Sequence, residues 1–173
     1  MATSVVTPFK HADHDHGHCV DDALAQAERQ CRQRGVRLTP IRRRVLELIW
    51  NGHAPVKAYD LLDRLRAERR SAAPPTVYRA LDFLLEEGLI HRIESLNAYI
   101  GCGSPAHPHV GQFLICEQCH AVAELDDNDV HRVLSAKAGE LGFLVSSQTI
   151  EINGLCPLCR DPSPGTATGS ASG

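Results

Sequence analysis

Four stretches between residues 21 and 88 repeat apolar residues every three or four positions, the spacing of a helix that buries one face. In DDALAQAERQCRQRG (21–35), Leu24, Ala27 and Cys31 share a side; acids open the stretch and Gly35 closes it. The second, LTPIRRRVLELIWNG, places Thr39 at the N-cap and Pro40 at the first helical position, where a missing N–H costs nothing. Ile41, Val45, Leu48 and Ile49 form its stripe, and Gly52 follows its end. The third, 56–68, puts Ala58, Leu61, Leu62 and Leu65 on one side. The fourth, 73–88, opens with prolines and carries Val77, Ala80, Leu81, Leu84 and Leu85 before Gly88. The period then changes. LIHRIES and NAYIGC read as two short strands with a turn around Ser95–Asn97. Farther on, QFLICEQCHAVAEL reads as two strands turned at a CxxC. DNDVHRVLSAKAGELG (127–142) reads as a helix with Val130, Val133, Leu134, Ala138 and Leu141 inward, and FLVSSQTIEINGLC as strand.

Short helices followed by a hairpin are the element order of a winged helix-turn-helix, whose last helix before the wing enters the DNA major groove. The expected fold is therefore α+β: a winged-helix DNA-binding domain over 20–102 and a small α/β domain over 103–160. A His-rich disordered tail is expected over 1–19 and a second disordered tail, rich in Gly, Ser and Pro, over 161–173. The second domain is too small to bury much apolar surface alone, and domains of that size often need a metal or a partner subunit. Within the fourth helix Thr76, Tyr78, Arg79 and Asp82 lie off the apolar stripe and can face DNA. Arg79 offers the forked donor pair that matches guanine. Arg37 and the Arg42–Arg44 cluster can hold phosphates. The plainer alternatives are a solvated helix face for Arg42–Arg44 and half-buried packing for Tyr78.

Charge supports the division. The net charge of −3 over 173 residues hides a basic middle. Residues 28–92 hold 14 Lys/Arg against 8 Asp/Glu, whereas 93–173 hold 3 against 9. A polyanion partner on one half only is the expectation. No apolar run is long enough to cross a membrane, and the N-terminus lacks a signal-peptide core, so a cytoplasmic location is expected. Thiols stay reduced there, and seven cysteines cannot all pair internally. No catalytic triad, phosphate-cradling glycine loop or nucleotide fingerprint is present, so neither an enzyme nor a small-molecule substrate is expected.

The cysteine spacing carries the chemistry. Cys116/Cys119 and Cys156/Cys159 are two CxxC turns, each able to present two thiolates to one ion. Zinc takes four such ligands in closed structural sites. The competing readings are a thioredoxin-like redox pair, which lacks its βαβ context here, and simple buried cysteines. His91, Cys102, His107, His109 and Glu124 supply further ligands. One Cys, two His and one Glu make a plausible mixed zinc site bridging the halves. The alternatives are surface histidines and a buried small cysteine. His14, His16 and His18 in the N-terminal tract form a weaker metal-binding candidate beside a purely solvated tail.

RLTPIRRRVLELI, PPTVYRALDFLLEEGLIHRIES and the two CxxC pairs resemble the ferric uptake regulator family of bacterial metal-responsive repressors, over roughly residues 20–160. AYDLLDRLR, PPTVYRALDFLLE and NAYIGC are most similar to its zinc uptake regulator branch. AHPH stands where the iron-sensing branch has a His-His-Asp-His run. The resemblance implies a homodimer joined through the C-terminal domain, bound to palindromic double-stranded operator DNA. It implies structural zinc at Cys116, Cys119, Cys156 and Cys159 and regulatory zinc at His91, Cys102, His109 and Glu124. Tyr59 and Arg79 resemble DNA-contacting positions. Asp63 with Arg66 resembles a pair linking neighbouring dimers on DNA, or forms an i,i+3 pair on one helix. A third metal site would draw on His107 and His131. Zinc-dependent repression of zinc uptake genes is the implied function. Iron or peroxide sensing within the family and zinc buffering are the alternatives.

Overall fold

The computed structural model describes residues 4–9, 16–52, 54–105 and 109–161. Strand β1 (Ser4–Thr7) comes first. Helices α1 (His16–Gln33), α2 (Pro40–Trp50), α3 (Ala58–Glu68) and α4 (Pro74–Glu86) follow, then hairpin strands β2 (Ile90–Ile93) and β3 (Ala98–Gly101). Strands β4 (Gly111–Cys116) and β5 (Val122–Asp126), helix α5 (Asn128–Glu140), strand β6 (Thr149–Gly154) and the one-turn helix α6 (Pro157–Arg160) complete the chain. The helices and the hairpin form the winged helix-turn-helix. The remaining strands form a sheet in the order β1-β5-β4-β6, antiparallel except for the β4–β6 pair.

The helical stripes close on one another. Leu24, Ala27, Cys31, Val45, Ile49, Leu61, Leu65, Val77, Leu81 and Leu84 are buried together, with Leu89, Ile90 and Tyr99 from the hairpin. Thr39 is the N-cap of α2 and Pro40 its first residue, as the sequence predicts, although the Thr39 hydroxyl makes no capping bond. Gly88 adopts φ +67°, so the chain leaves α4 in the left-handed region where a Cβ is disfavoured. A second, smaller core joins the halves. Ile93 of the hairpin is buried with Phe113, Ile115 and Val122 of the sheet, and Leu96 and Ile100 pack against them.

Three expectations change. Residues 4–7, read as tail, form β1 on the free edge of β5, with Val5 opposite Leu125 and Thr7 opposite Glu124. Helix α1 also starts at His16 rather than near residue 21, taking in the end of that same tail. The apolar residues of α5 expected to face inward do not: Val130, Val133 and Leu134 are about half exposed and Leu141 is 87% exposed. Phe143 and Leu144 extend that apolar surface. Periodicity finds an apolar face without saying what covers it, and the described residues leave this face bare. His14, His107, the side chain of His16 and the C-terminal residues 162–173 lie outside the described residues.

Candidate metal centres and nucleic-acid surface

The first cluster is built inside the sheet unit. Strands β4 and β5 turn at Cys116–Cys119, with His120 at φ +58° completing the tight reversal. Parallel β6 delivers Cys156 beside that turn, and α6 carries Cys159 one turn on. The four sulfurs lie within 4.8 Å of one another. Sγ of Cys119 is 3.8 Å from Sγ of Cys156, and the Cys156 amide donates to Sγ of Cys116 at 3.4 Å. Burial raises the Cys116 thiol, but amides of Cys119, Cys156 and Gln118 outweigh it and bring it down to about 6. Burial and the neighbouring sulfurs push Cys159 up to about 12. One thiolate is thus favoured and a second is opposed, a conflict that a dication among four soft donors resolves. These residues fit zinc.

The second cluster spans both units. His91 stands in β2 and Cys102 just after β3, while His109 precedes β4 and Glu124 sits in β5. Their ligand atoms also lie within 4.8 Å of one another. Nε2 of His91 and Nε2 of His109 each stand 2.7 Å from the same oxygen, Oε1 of Glu124. Sγ of Cys102 is 3.7 Å from Nε2 of His109. The His91 nitrogen is close to the carboxylate but misaligned, so this buried atom has no hydrogen-bond partner. An orphaned imidazole nitrogen, a second imidazole, a thiol and a carboxylate aimed at one point fit zinc better than they fit one another.

The Gly103 amide donates to Oε2 of Glu124 at 3.1 Å, and the Cys102 amide to the Leu89 carbonyl at 3.0 Å. The His91 ring meets Phe113 edge-on at 5.2 Å and His109 at 5.1 Å. Burial pushes the Cys102 thiol up to about 12, helped by the Glu124 charge. Burial also opposes ionisation of Glu124, yet His91, His109 and the Gly103 amide hold it below the usual carboxylate range. Neither His18, exposed in α1, nor His131, whose Nδ1 is 2.6 Å from Oε1 of Gln148, joins a ligand group among the described residues.

The DNA-facing candidates are exposed residues of the helical unit. Thr76, Tyr78 and Arg79 are exposed on α4, Tyr59 is 71% exposed on α3, and Arg37 is exposed ahead of α2. The arginine cluster is not a free phosphate grip. Arg43 pairs with Glu28 of α1, and Arg44 pairs with Glu47 and Glu68. Arg42 lies 3.6 Å over the Phe83 ring and donates to the Arg37 carbonyl. Asp63 and Arg66 are both exposed, and Arg66 donates to the Ala72 carbonyl at 3.3 Å rather than closing an i,i+3 pair.

Sequence reasoning missed Glu151. Its carboxylate, on β6, accepts the amide of Glu94 at 2.6 Å and that of Ser95 at 3.1 Å. Both donors belong to the wing turn. Against the raising effect of burial, the Ser95 side chain and these two amides hold Glu151 below the usual carboxylate range. Its polar position in the alternating run TIEIN reads as ordinary solvent face, so only the three-dimensional pairing reveals it.

Comparison with known proteins agrees with this geometry. The Ferric uptake regulator family profile matches residues 33–153. The zinc uptake regulation protein of Escherichia coli is 46% identical over 139 residues, covering 80% of this chain and 81% of that protein. A solved zinc uptake regulator complexed with zinc and DNA superposes with a TM-score of 0.78 at 45% identity, covering 82% of this chain and 95% of that one. The crystal structure of holo XcZur gives 0.76 at 49% identity, covering 81% and 98%. In sequence and in fold, the chain belongs to the ferric uptake regulator family.

Proposed function

We propose that this chain is a zinc-responsive transcriptional repressor that binds palindromic operator DNA as a dimer and controls zinc uptake genes. One observation carries the reading: the mixed cluster takes His91 and Cys102 from the wing side and His109 and Glu124 from the sheet side. Bound zinc supplies a shared positive charge that relieves the crowding of two imidazoles and a thiol on one carboxylate. His91 and Cys102 then fix the wing, and with it α4, against the sheet unit. The four cysteines hold a second zinc, which ties the ends of that unit together. The bare apolar face of α5 supports a dimer formed through the sheet unit. Two α4 helices about 34–36 Å apart would meet a palindrome.

Arg79 reads a base edge, with Thr76 and Tyr78 beside it on α4. Arg37 and Tyr59 contact the backbone, and Arg42 braces α4 through Phe83. Asp63 and Arg66, exposed on α3, suit contacts between neighbouring dimers. The reading is also supported by relatives named for zinc uptake regulation and by a matched structure containing zinc and DNA. A preference of the zinc-bound arrangement for operator requires, by reciprocity, that operator tighten zinc binding. Operator binding measured across buffered free zinc tests the proposal. Binding should rise with zinc and fail to do so in the His91→Ala variant; zinc-independent binding would overturn it.

A further inference from the structure

We propose that Glu151 is a wing-positioning residue: a carboxylate latch that fixes the far end of the hairpin whose near end carries two of the mixed-site ligands. The inference rests on the function proposed above. The β2–β3 register runs Ile90–Gly101, His91–Ile100, Arg92–Tyr99, Ile93–Ala98. His91 and Cys102 therefore grip the hairpin at its open end. The turn at Glu94–Asn97 lies at the other end, and there Glu151 accepts the Glu94 and Ser95 amides.

A hairpin held at one end can still swing about that point. A second attachment at its tip removes the remaining rotation. Ile93 and Ile100 pack towards the sheet between the two grips and Leu96 does so from the turn itself, but such apolar contacts are not directional. The carboxylate bonds are directional and charge-assisted, hence stronger than neutral ones. Glu151 is also well placed to transmit position. It sits opposite Phe113 in the β4–β6 register, and Phe113 packs edge-on against the ligand His91. One β4 residue thus touches the base of the wing while its parallel neighbour holds the tip.

The experiment uses the full-length zinc-loaded protein and its Glu151→Gln variant. The glutamine oxygen can still accept one amide, but its NH₂ group meets the second donor. Zinc content and dimerisation should stay unchanged. The Glu94 and Ser95 amide resonances should move, and operator Kd at saturating zinc should weaken about fivefold to tenfold. Moved resonances with an operator affinity within about twofold of wild type would overturn the latch and leave only a local cap. Hydrogen exchange in the wild-type protein gives a test that needs no variant: both amides should be protected, and exchange at unprotected rates refutes the latch. Wild type lacking any zinc-dependent operator binding would instead refute the proposed function, and this inference with it.

Discussion

The two ligand clusters hold the same number of donors within the same 4.8 Å spread, yet they join different things. The cysteine cluster draws on the β4–β5 turn and on the segment after β6, all within the sheet unit. The mixed cluster draws on β2, β5 and the two connections beside β3 and β4. A closed set of soft ligands inside one unit can only stabilise that unit. A set divided between units could also report whether it is filled, because filling it would draw the two units onto one ion. Each cluster holds a thiol pushed up to about 12, Cys159 in one and Cys102 in the other, but only the cysteine cluster also holds one brought down. Cys116 is already drawn towards thiolate by amides, whereas Cys102 is driven up to about 12 and stays a thiol until a cation replaces its proton.

The largest expected effect breaks the comparison on the cysteine side. Cys116→Ser should lower Tm by on the order of 10 °C and dissolve the dimer, because closed thiolate sites contribute folding free energy. A soluble dimer with wild-type melting in calorimetry would erase the distinction drawn here. Chelation should behave in two stages: mild chelator silences operator binding while the dimer survives in ultracentrifugation, and stronger chelator lowers Tm. His91→Ala or Cys102→Ser should leave Tm near wild type and cut the zinc-dependent gain in operator affinity by up to about 100-fold, read by gel shift. A smaller effect belongs to Arg79→Ala, about 1–3 kcal/mol on operator and less on random DNA, measured by anisotropy. Arg44→Ala should be the smallest. Its acids already occupy it, so operator affinity should change by under about 1 kcal/mol.

The legibility of the molecule divides along similar lines. The helices of the basic half were readable because each buries its own apolar stripe, and Leu24, Leu61 and Leu81 sit where that period puts them. The CxxC pairs and the His91, Cys102, His109 and Glu124 set were readable from ligand type, and from family resemblance in the second case. What failed depended on distant partners. The Arg42–Arg44 run looks cationic until Glu28 of α1 and Glu68 of α3 pair with Arg43 and Arg44. Strand β1 is too short to announce itself, and its partner lies near residue 125. The α5 face was located correctly and turned the wrong way, since no described residue covers it.

Strand β1 has a practical corollary. Thr7 lies opposite Glu124, and its hydroxyl occupies the space that any side chain at Gly103 would need. Clipping the first nine residues would strip the outer border of the sheet and expose the unpaired amides of β5. An uncovered strand border is a template for pairing with other molecules. Proteolytic trimming during purification would therefore yield sticky, aggregating material.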